Sequence, residues 1–355
     1  MKKLYAVIIL FVVGGFALYV LAPWTDIGQV EKQSQKQHQT QKKAEQMQER
    51  IQEEIKTYSL NGKPVFEEKF FMKNPLTGDL QRVHMFYSKP NAKNVPAVIL
   101  VPGGGKSSSD FFQTALEGAV DFVMFTFDPL GRGESQGKEN MHGKEDQAFL
   151  YEVYKCAKND SNGSVSVASF SFGIAMVAGT LADYEMPISI WVEWEGPHER
   201  TFVAHLCMES REDMQGLSVK EKRRIRKEML QRIQEGTAPG ECANDEYWAE
   251  REAFYTVEEI EKNEIQSYHR LQGRNDHVHG NFCDHALEMV NKMTELGFQT
   301  RLNDGPETMV YTEKTIVKFL YSPFNSRQKA LDIIKAYYTQ HTEVIHGCNW
   351  ELQAL

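Results

Sequence analysis

Residues 164–183, SVSVASFSFGIAMVAGTLAD, decide the fold of this chain. The pattern predicts a buried strand over 164–169, a sharp turn at Ser171, and a helix of small residues from Phe172 to about Asp183. A hydroxyl at such a turn is exposed at the end of a sheet, and small residues on either side of it relieve the crowding. The start of the helix offers backbone N–H groups to a developing oxyanion. Ser171 is therefore the candidate nucleophile.

Strand and helix patterns alternate on both sides of this stretch. Apolar runs predict strands at 65–72, 81–87, 96–101, 122–127, 186–191, 266–272 and 298–302. Helices are predicted at 109–119, 143–158 and 326–339. Because strands that alternate with helices form βαβ units, we expect an α/β fold with a mostly parallel central sheet and helices on both faces.

The N-terminal segment is typical of a membrane anchor. Leu4–Pro23 carries no charge and has about the 20 residues that a spanning helix needs. A small-x-small cleavage site is missing, so residues 1–24 are predicted to remain as an anchor. The alternative is a signal peptide, whose cleavage would leave a secreted protein. Lys2 and Lys3 favour an N-terminus in the cytoplasm and a body outside it.

Two further segments complete the predicted organisation. Residues 25–57 are rich in Gln, Lys and Glu, and we expect a helical or disordered spacer there. Residues 58–355 are expected to form the globular body. Within it, residues from about 199 to 262 are strongly charged and helical in pattern, and we interpret them as a cap insertion over a pocket. The alternative for this charged run is a solvated helix face.

The composition excludes several classes of protein. The 355 residues include 40 Lys and Arg against 49 Asp and Glu, a net charge of −9. A nucleic-acid partner is therefore not expected, because phosphate binding needs a basic face. The five cysteines form no C-x-x-C pair, which argues against a zinc ribbon and against a disulfide-dense scaffold.

Two glycine-rich loops accompany the turn at Ser171. The first, PGGGKS at 102–107, follows a predicted strand, and its glycines let the backbone approach a ligand. A phosphate-binding P-loop is disfavoured, since Leu100 stands where that motif needs its first glycine. The second loop, DPLGRGES at 128–135, closes another strand, and we expect Asp128 and Arg132 to pin it as a tight turn.

These three pieces, in this order, resemble the α/β-hydrolase superfamily in its serine esterase and peptidase-like branch, over about residues 60–340. The resemblance implies an α/β-hydrolase fold and a serine hydrolase that acts on an ester or amide of a small-molecule, acyl or peptide substrate. It implies no cofactor and no metal. Gly104, or a neighbour, and Phe172 would form the oxyanion hole. Asp276, after a strand and a glycine turn, would orient a histidine; the alternative for Asp276 is a helix N-cap.

The base is where the sequence departs from the family pattern. The family's histidine follows the last strand closely, and Glu307 stands there instead. His346, in the tail beyond the last predicted helix, is the predicted base. Three other histidines lie after a strand or beside the acid and are further candidates: His198, His277 and His279. The alternative to a hydrolase is an inactive protein that binds a ligand or partner in the same cleft, because without a base Ser171 is a poor nucleophile.

Overall fold

A sheet of nine strands forms the centre of the described chain in this computed structural model. The structure describes residues 51–88, 94–199, 244–275, 285–322 and 324–345, and residues 224, 228, 231 and 232. The strands are β1 (Ile51–Leu60), β2 (Lys63–Lys73), β3 (Leu80–Tyr87), β4 (Ala97–Val101), β5 (Val123–Phe127), β6 (Val165–Phe170), β7 (Ile188–Trp194), β8 (Ile265–Leu271) and β9 (Thr300–Leu302). Their order across the sheet is β1-β2-β3-β5-β4-β6-β7-β8-β9.

Most of this sheet is parallel. Strand β3 pairs antiparallel with both β2 and β5, whereas every neighbouring pair from β5 to β9 is parallel. The carboxyl ends of β4, β6, β7 and β8 meet at one edge, since Val101 pairs with Ser169, and Trp194 pairs with both Phe170 and Leu271. The predicted α/β class with a mostly parallel sheet is confirmed, and the arrangement is the α/β-hydrolase fold.

Helices cover both faces of the sheet. The described helices are α1 (Phe112–Gly118), α2 (Lys144–Asp160), α3 (Gly173–Asp183), α4 (Asp245–Ala249), α5 (Ala253–Thr256), α6 (His285–Glu295), α7 (Glu313–Ile316) and α8 (Ser326–Ile345). Side chains of β4 alternate between two apolar clusters: Ile99 packs with residues of α2 and α3, and Leu100 with residues of α1 and α8. A central strand buried on both faces needs the continuous apolar run that its sequence shows.

The first strand corrects one sequence-based expectation. Residues 51–57 belong to β1, although the whole of 25–57 was expected to be a helical or disordered spacer. Tyr58 and Leu60 of this strand pack against the cluster that contains Leu100, and the Tyr58 hydroxyl donates to Glu67 Oε2 at 2.7 Å. Pairing at a sheet edge and apolar packing outweigh the helix propensity of Gln, Glu and Lys here.

The predicted anchor and much of the predicted cap lie outside the described residues. Residues 1–24 and 25–50 are in the part that the structure does not describe, and so are most of residues 200–243. The described end of the insertion is helical, as its pattern indicates, and contains α4 and α5. None of the helices in the described ranges has the length and apolar character needed to cross a membrane.

Candidate active site

The turn at Ser171 has the geometry of a nucleophile elbow. Ser171 follows β6 directly and precedes α3, and its backbone φ is +52°. This left-handed conformation costs a non-glycine residue roughly 1–2 kcal/mol. The surrounding hydrogen bonds hold it: Ser171 N–H donates to Trp194 O at 2.9 Å, and Ile174 N–H donates to Ser171 O at 3.2 Å. The predicted strand–turn–helix is confirmed, and it places a half-buried hydroxyl at the carboxyl end of the sheet.

Small residues let the glycine loop approach this elbow closely. A Cβ on Gly103 would lie 2.5 Å from the Phe170 carbonyl oxygen and 3.0 Å from Ser171 Cβ. A Cβ on Gly173 would lie 2.8 Å from the Pro102 carbonyl oxygen. The distances of 2.5 and 2.8 Å to carbonyl oxygens are shorter than the contacts that real Cβ atoms make, so glycine is required at both positions. The PGGGKS loop therefore packs directly on the backbone that carries Ser171.

The two predicted oxyanion residues are neighbours in the structure. Gly104 is exposed, and a Cβ built on it would lie 3.7 Å from Phe172 Cβ. Phe172 is the residue that immediately precedes the first turn of α3, where backbone N–H groups point away from the helix. The positions of Gly104 and Phe172 beside Ser171 are thus compatible with two donors to one oxygen.

Ser169 has a structural part in the elbow. It stands two residues before Ser171, where the family usually has glycine. Its side chain is buried, and its Oγ accepts a hydrogen bond from Trp191 Nε1 at 2.8 Å. This bond ties β6 to β7 directly beneath the turn, so a serine in place of glycine is accommodated and used.

A buried aspartate holds the far end of the glycine loop. Asp128 Oδ1 accepts from the Ser108 backbone N–H at 2.8 Å and from its hydroxyl at 2.6 Å. Its other oxygen, Oδ2, accepts from the Glu134 N–H at 2.9 Å. One carboxylate therefore joins the loop that follows β4 to the loop that follows β5.

Arg132 fixes the near end of the same loop. Its Nη1 donates to the Gly103 carbonyl oxygen at 3.0 Å and to the Lys106 carbonyl oxygen at 3.4 Å, and its guanidinium pairs with Glu139. The expectation that Asp128 and Arg132 pin a tight loop is confirmed. Their contacts hold the backbone beside Ser171 in a single arrangement, which is what preorganised donors need.

Two aromatic groups that sequence reasoning missed enclose Phe172. The ring of His142 lies 5.7 Å from the Phe172 ring, and the ring of Trp248 lies 6.4 Å from it. His142 is fully buried, and its Nδ1 has no hydrogen-bond partner in the described chain. Burial, followed by the nearby Arg132, holds the pKa of His142 well below its ordinary value, so this imidazole is neutral. A lone histidine in a polar loop carries no sequence signal for this position.

The loop that leads to the predicted acid is held at the same edge of the sheet. Gln272 N–H donates to Asn303 Oδ1 at 2.9 Å, and Asn303 Nδ2 donates back to the Gln272 carbonyl oxygen at 2.8 Å. Arg274 N–H donates to the Tyr321 carbonyl oxygen at 2.9 Å. Asp276 itself lies outside the described residues, as do His277, His279 and His346. The described loop nevertheless leaves β8 two strands away from Ser171.

Glu195 is a buried carboxylate at this edge, and no sequence motif indicates it. It follows Trp194, which pairs with Phe170, so Glu195 and Ser171 end neighbouring strands at the same level. Glu195 is 2% exposed, has a φ of +46°, and accepts from the Gly273 N–H at 2.7 Å. It therefore connects the end of β7 to the loop that leads toward Asp276.

Glu307, the residue at the expected base position, makes contacts along β9. It is 51% exposed and accepts from Arg301 Nη2 at 2.8 Å and from Gln299 Nε2 at 3.2 Å. It also lines a groove of about 320 Å³ together with His269 and His341, and no residue of the Ser171 turn or of the glycine loop lines that groove. The described contacts of Glu307 thus place its carboxylate with the residues that begin β9.

His198, another candidate base, is fully buried beyond the end of β7. Its Nε2 lies 3.2 Å from Glu288 Oε2, and its ring packs against Phe254 at a centroid distance of 5.0 Å. These described contacts attach His198 to α6 and to the end of the insertion.

Comparison with solved structures finds esterases at low sequence identity. A highly thermostable carboxyl esterase from Bacillus coagulans is 13% identical, with a TM-score of 0.49 over 76% of this chain and 98% of that one. An esterase from Pyrococcus furiosus is 13% identical, with a TM-score of 0.48 over 81% and 92%. A fluorophosphonate-binding serine hydrolase from Staphylococcus aureus is 11% identical, with a TM-score of 0.48 over 77% and 97%. No protein-family model and no curated protein matches the sequence.

Proposed function

We propose that this protein is a serine hydrolase that cleaves an ester or amide by acyl transfer, with Ser171 as nucleophile. The elbow carries this proposal: a left-handed serine between β6 and α3, with the glycine loop packed on it. Ser171 is a half-buried residue at the carboxyl end of a parallel sheet, and left-handed backbone strain of this kind clusters at functional sites.

In the proposed reaction, Ser171 Oγ attacks the substrate carbonyl carbon while a histidine takes its proton. The backbone N–H groups of Gly104 and Phe172 stabilise the oxyanion of the tetrahedral intermediate. The histidine returns the proton to the leaving group, and water then hydrolyses the acyl-enzyme by the same steps. Asp276 orients the histidine, for which His346 is our prediction. Small-molecule, acyl and peptide substrates all fit this chemistry.

Labelling with a fluorophosphonate probe tests the nucleophile, because the reaction needs an activated serine hydroxyl. We expect the wild-type chain to be labelled at Ser171 and the Ser171→Ala variant to resist labelling. The matched control is Ser322→Ala, at an exposed serine after α7. Loss of the nucleophile should lower kcat/KM for a short p-nitrophenyl ester by at least about 10⁴-fold. Full activity of Ser171→Ala would refute the assignment.

A second candidate is an inactive hydrolase-fold protein that binds a ligand or partner at the same cleft. The loop after β9 favours it, since Glu307 rather than histidine follows that strand and pairs with Arg301. This candidate predicts a folded wild-type chain that resists the fluorophosphonate probe. A Glu307→His variant that gains esterase activity would then show that only the base has been lost.

We further propose that residues 1–24 anchor the protein in a membrane, with the body outside the cytoplasm. The uncharged run Leu4–Pro23 and the lysines before it support this proposal. Secretion after signal cleavage is the alternative. N-terminal sequencing of the mature protein separates the two, because only a cleaved chain would lack Lys2 and Lys3.

A further inference from the structure

A cluster of one histidine and two glutamates lies at the carboxyl side of β7 and contains none of the elbow residues. His198 and Glu199 follow that strand, and Glu288 belongs to α6. One ligand atom from each of the three side chains lies within 4.8 Å of the other two. An imidazole nitrogen and two carboxylate oxygens are donors that divalent metal ions prefer in proteins.

The histidine of this cluster is held firmly, and one glutamate opens to solvent. His198 is 0% exposed, and its backbone oxygen accepts from the Phe254 N–H at 3.0 Å. Packing against the Phe254 ring fixes the plane of the imidazole. Glu288 is 48% exposed, which gives an ion a path to the cluster. A buried ligand and an exposed one are the arrangement expected where an ion enters from one side.

Two cations of the described residues near this cluster are engaged by other carboxylates. Lys292, one turn after Glu288 on α6, pairs with Glu258. Arg270, which donates to the carbonyl oxygen of Gly196, pairs with the buried Glu193. The three side chains themselves offer two carboxylates and one imidazole, a donor set that favours a dication.

We propose that His198, Glu199 and Glu288 bind a divalent transition-metal ion, with Zn²⁺ as the best match. Donors bound at about 2.0–2.1 Å to a tetrahedral ion are about 3.3 Å apart. His198 Nε2 and Glu288 Oε2 are already 3.2 Å apart, and Glu199 offers a third donor within 4.8 Å. Three protein ligands leave the fourth position to water.

The bound ion would join the segment that follows β7 to α6. His198 and Glu199 lie a few residues after β7, and Glu288 lies in the first turn of α6. The ligands His198 and Glu288 are 90 residues apart, so no ligand-spacing motif marks them, and no metal was expected from the sequence. The proposal goes beyond hydrolysis and does not depend on it.

Titration of the full-length chain with Zn²⁺ tests the site. The protein is first stripped with a chelator, and calorimetry is expected to find one Zn²⁺ per chain. Glu288→Gln keeps the size of an exposed side chain and removes one ligand charge. It should weaken Zn²⁺ binding by about 100-fold, since even groups that only support a ligand contribute about 10- to 100-fold. The matched control is Glu295→Gln, at an exposed glutamate of the same helix, which should bind like wild type.

Two further measurements make the outcome decisive. Circular dichroism of the Glu288→Gln variant checks that its fold is unchanged. The visible spectrum of the Co²⁺-substituted chain should show nitrogen and oxygen ligation without a thiolate charge-transfer band. Equal Zn²⁺ affinity of wild type and Glu288→Gln, a thiolate band that places the ion on cysteine, or no Zn²⁺ binding would each overturn the proposal. Equal affinity for Mg²⁺ or Ca²⁺ would overturn the assignment to a transition metal.

Discussion

Replacing Ser171 by glycine should leave the chain inactive but more stable than replacing it by alanine. Both variants lose the hydroxyl, so the comparison isolates the backbone at φ +52°. Glycine avoids the left-handed penalty of roughly 1–2 kcal/mol. Glycine also lowers the free energy of unfolding by about 0.4–1 kcal/mol, because it raises the conformational entropy of the unfolded chain. The Gly variant should therefore exceed the Ala variant by about 0.5–1 kcal/mol in free energy of unfolding.

Urea denaturation measures this difference directly, as a shift of the midpoint at unchanged slope. The matched control is Gln113, at an exposed position of α1, where glycine should be less stable than alanine by about 1 kcal/mol. Alanine should therefore give the more stable variant at position 113, and glycine the more stable variant at position 171. If Ser171→Gly is no more stable than Ser171→Ala, the elbow does not store strain, and this part of the reasoning is refuted.

Three other predictions follow from the described structure and the sequence. Gly103→Ala should slow ester hydrolysis by about 100-fold, because the new Cβ would lie 2.5 Å from the Phe170 oxygen and must displace the glycine loop; an unchanged kcat/KM would contradict the packing. Burial lowers the pKa of His269 to about 4, so the stability it contributes is present above pH 6.5 and is lost as pH falls toward 4. Between pH 7 and pH 5, wild type should lose about 2 kcal/mol more free energy of unfolding than His269→Gln, and equal losses by urea denaturation would count against it. Deleting residues 1–24 should release a soluble body with an unchanged circular dichroism spectrum, and an aggregated product would show that this segment packs into the body.

The elements around the elbow were predictable because their signals are local. Continuous apolar runs locate β4, β5 and β6, and the small residues after Ser171 predict the start of α3. The prediction of a spacer over residues 51–57 was wrong because the cause of the strand there is not local. Residues 51–57 carry a composition that favours helix, and only the pairing of β1 with β2 and the packing of its later residues Tyr58 and Leu60 make them a strand.

Some residues of the candidate site could likewise be predicted from the sequence, and others only from the fold. Two short motifs contain Ser171, Gly104 and Phe172, so these residues could be proposed from the sequence. The motifs come together because β4 and β6 are neighbours in the sheet. His142 and Trp248 are in a loop and in the insertion, and only folding places their rings around Phe172. Their side chains follow no period that indicates a site.

The amino-acid sequence by itself predicted strands β2 to β9, the sharp turn at Ser171 with the helix after it, and the glycine loop beside it. The tertiary structure alone decided which distant groups meet at the carboxyl edge of the sheet. Glu195 reaches Gly273 across 78 residues, and His198 reaches Glu288 across 90. Periodicity records which face of an element is buried, whereas such polar pairs depend on how strands far apart in the chain align. Their partners are therefore fixed only when the sheet has formed.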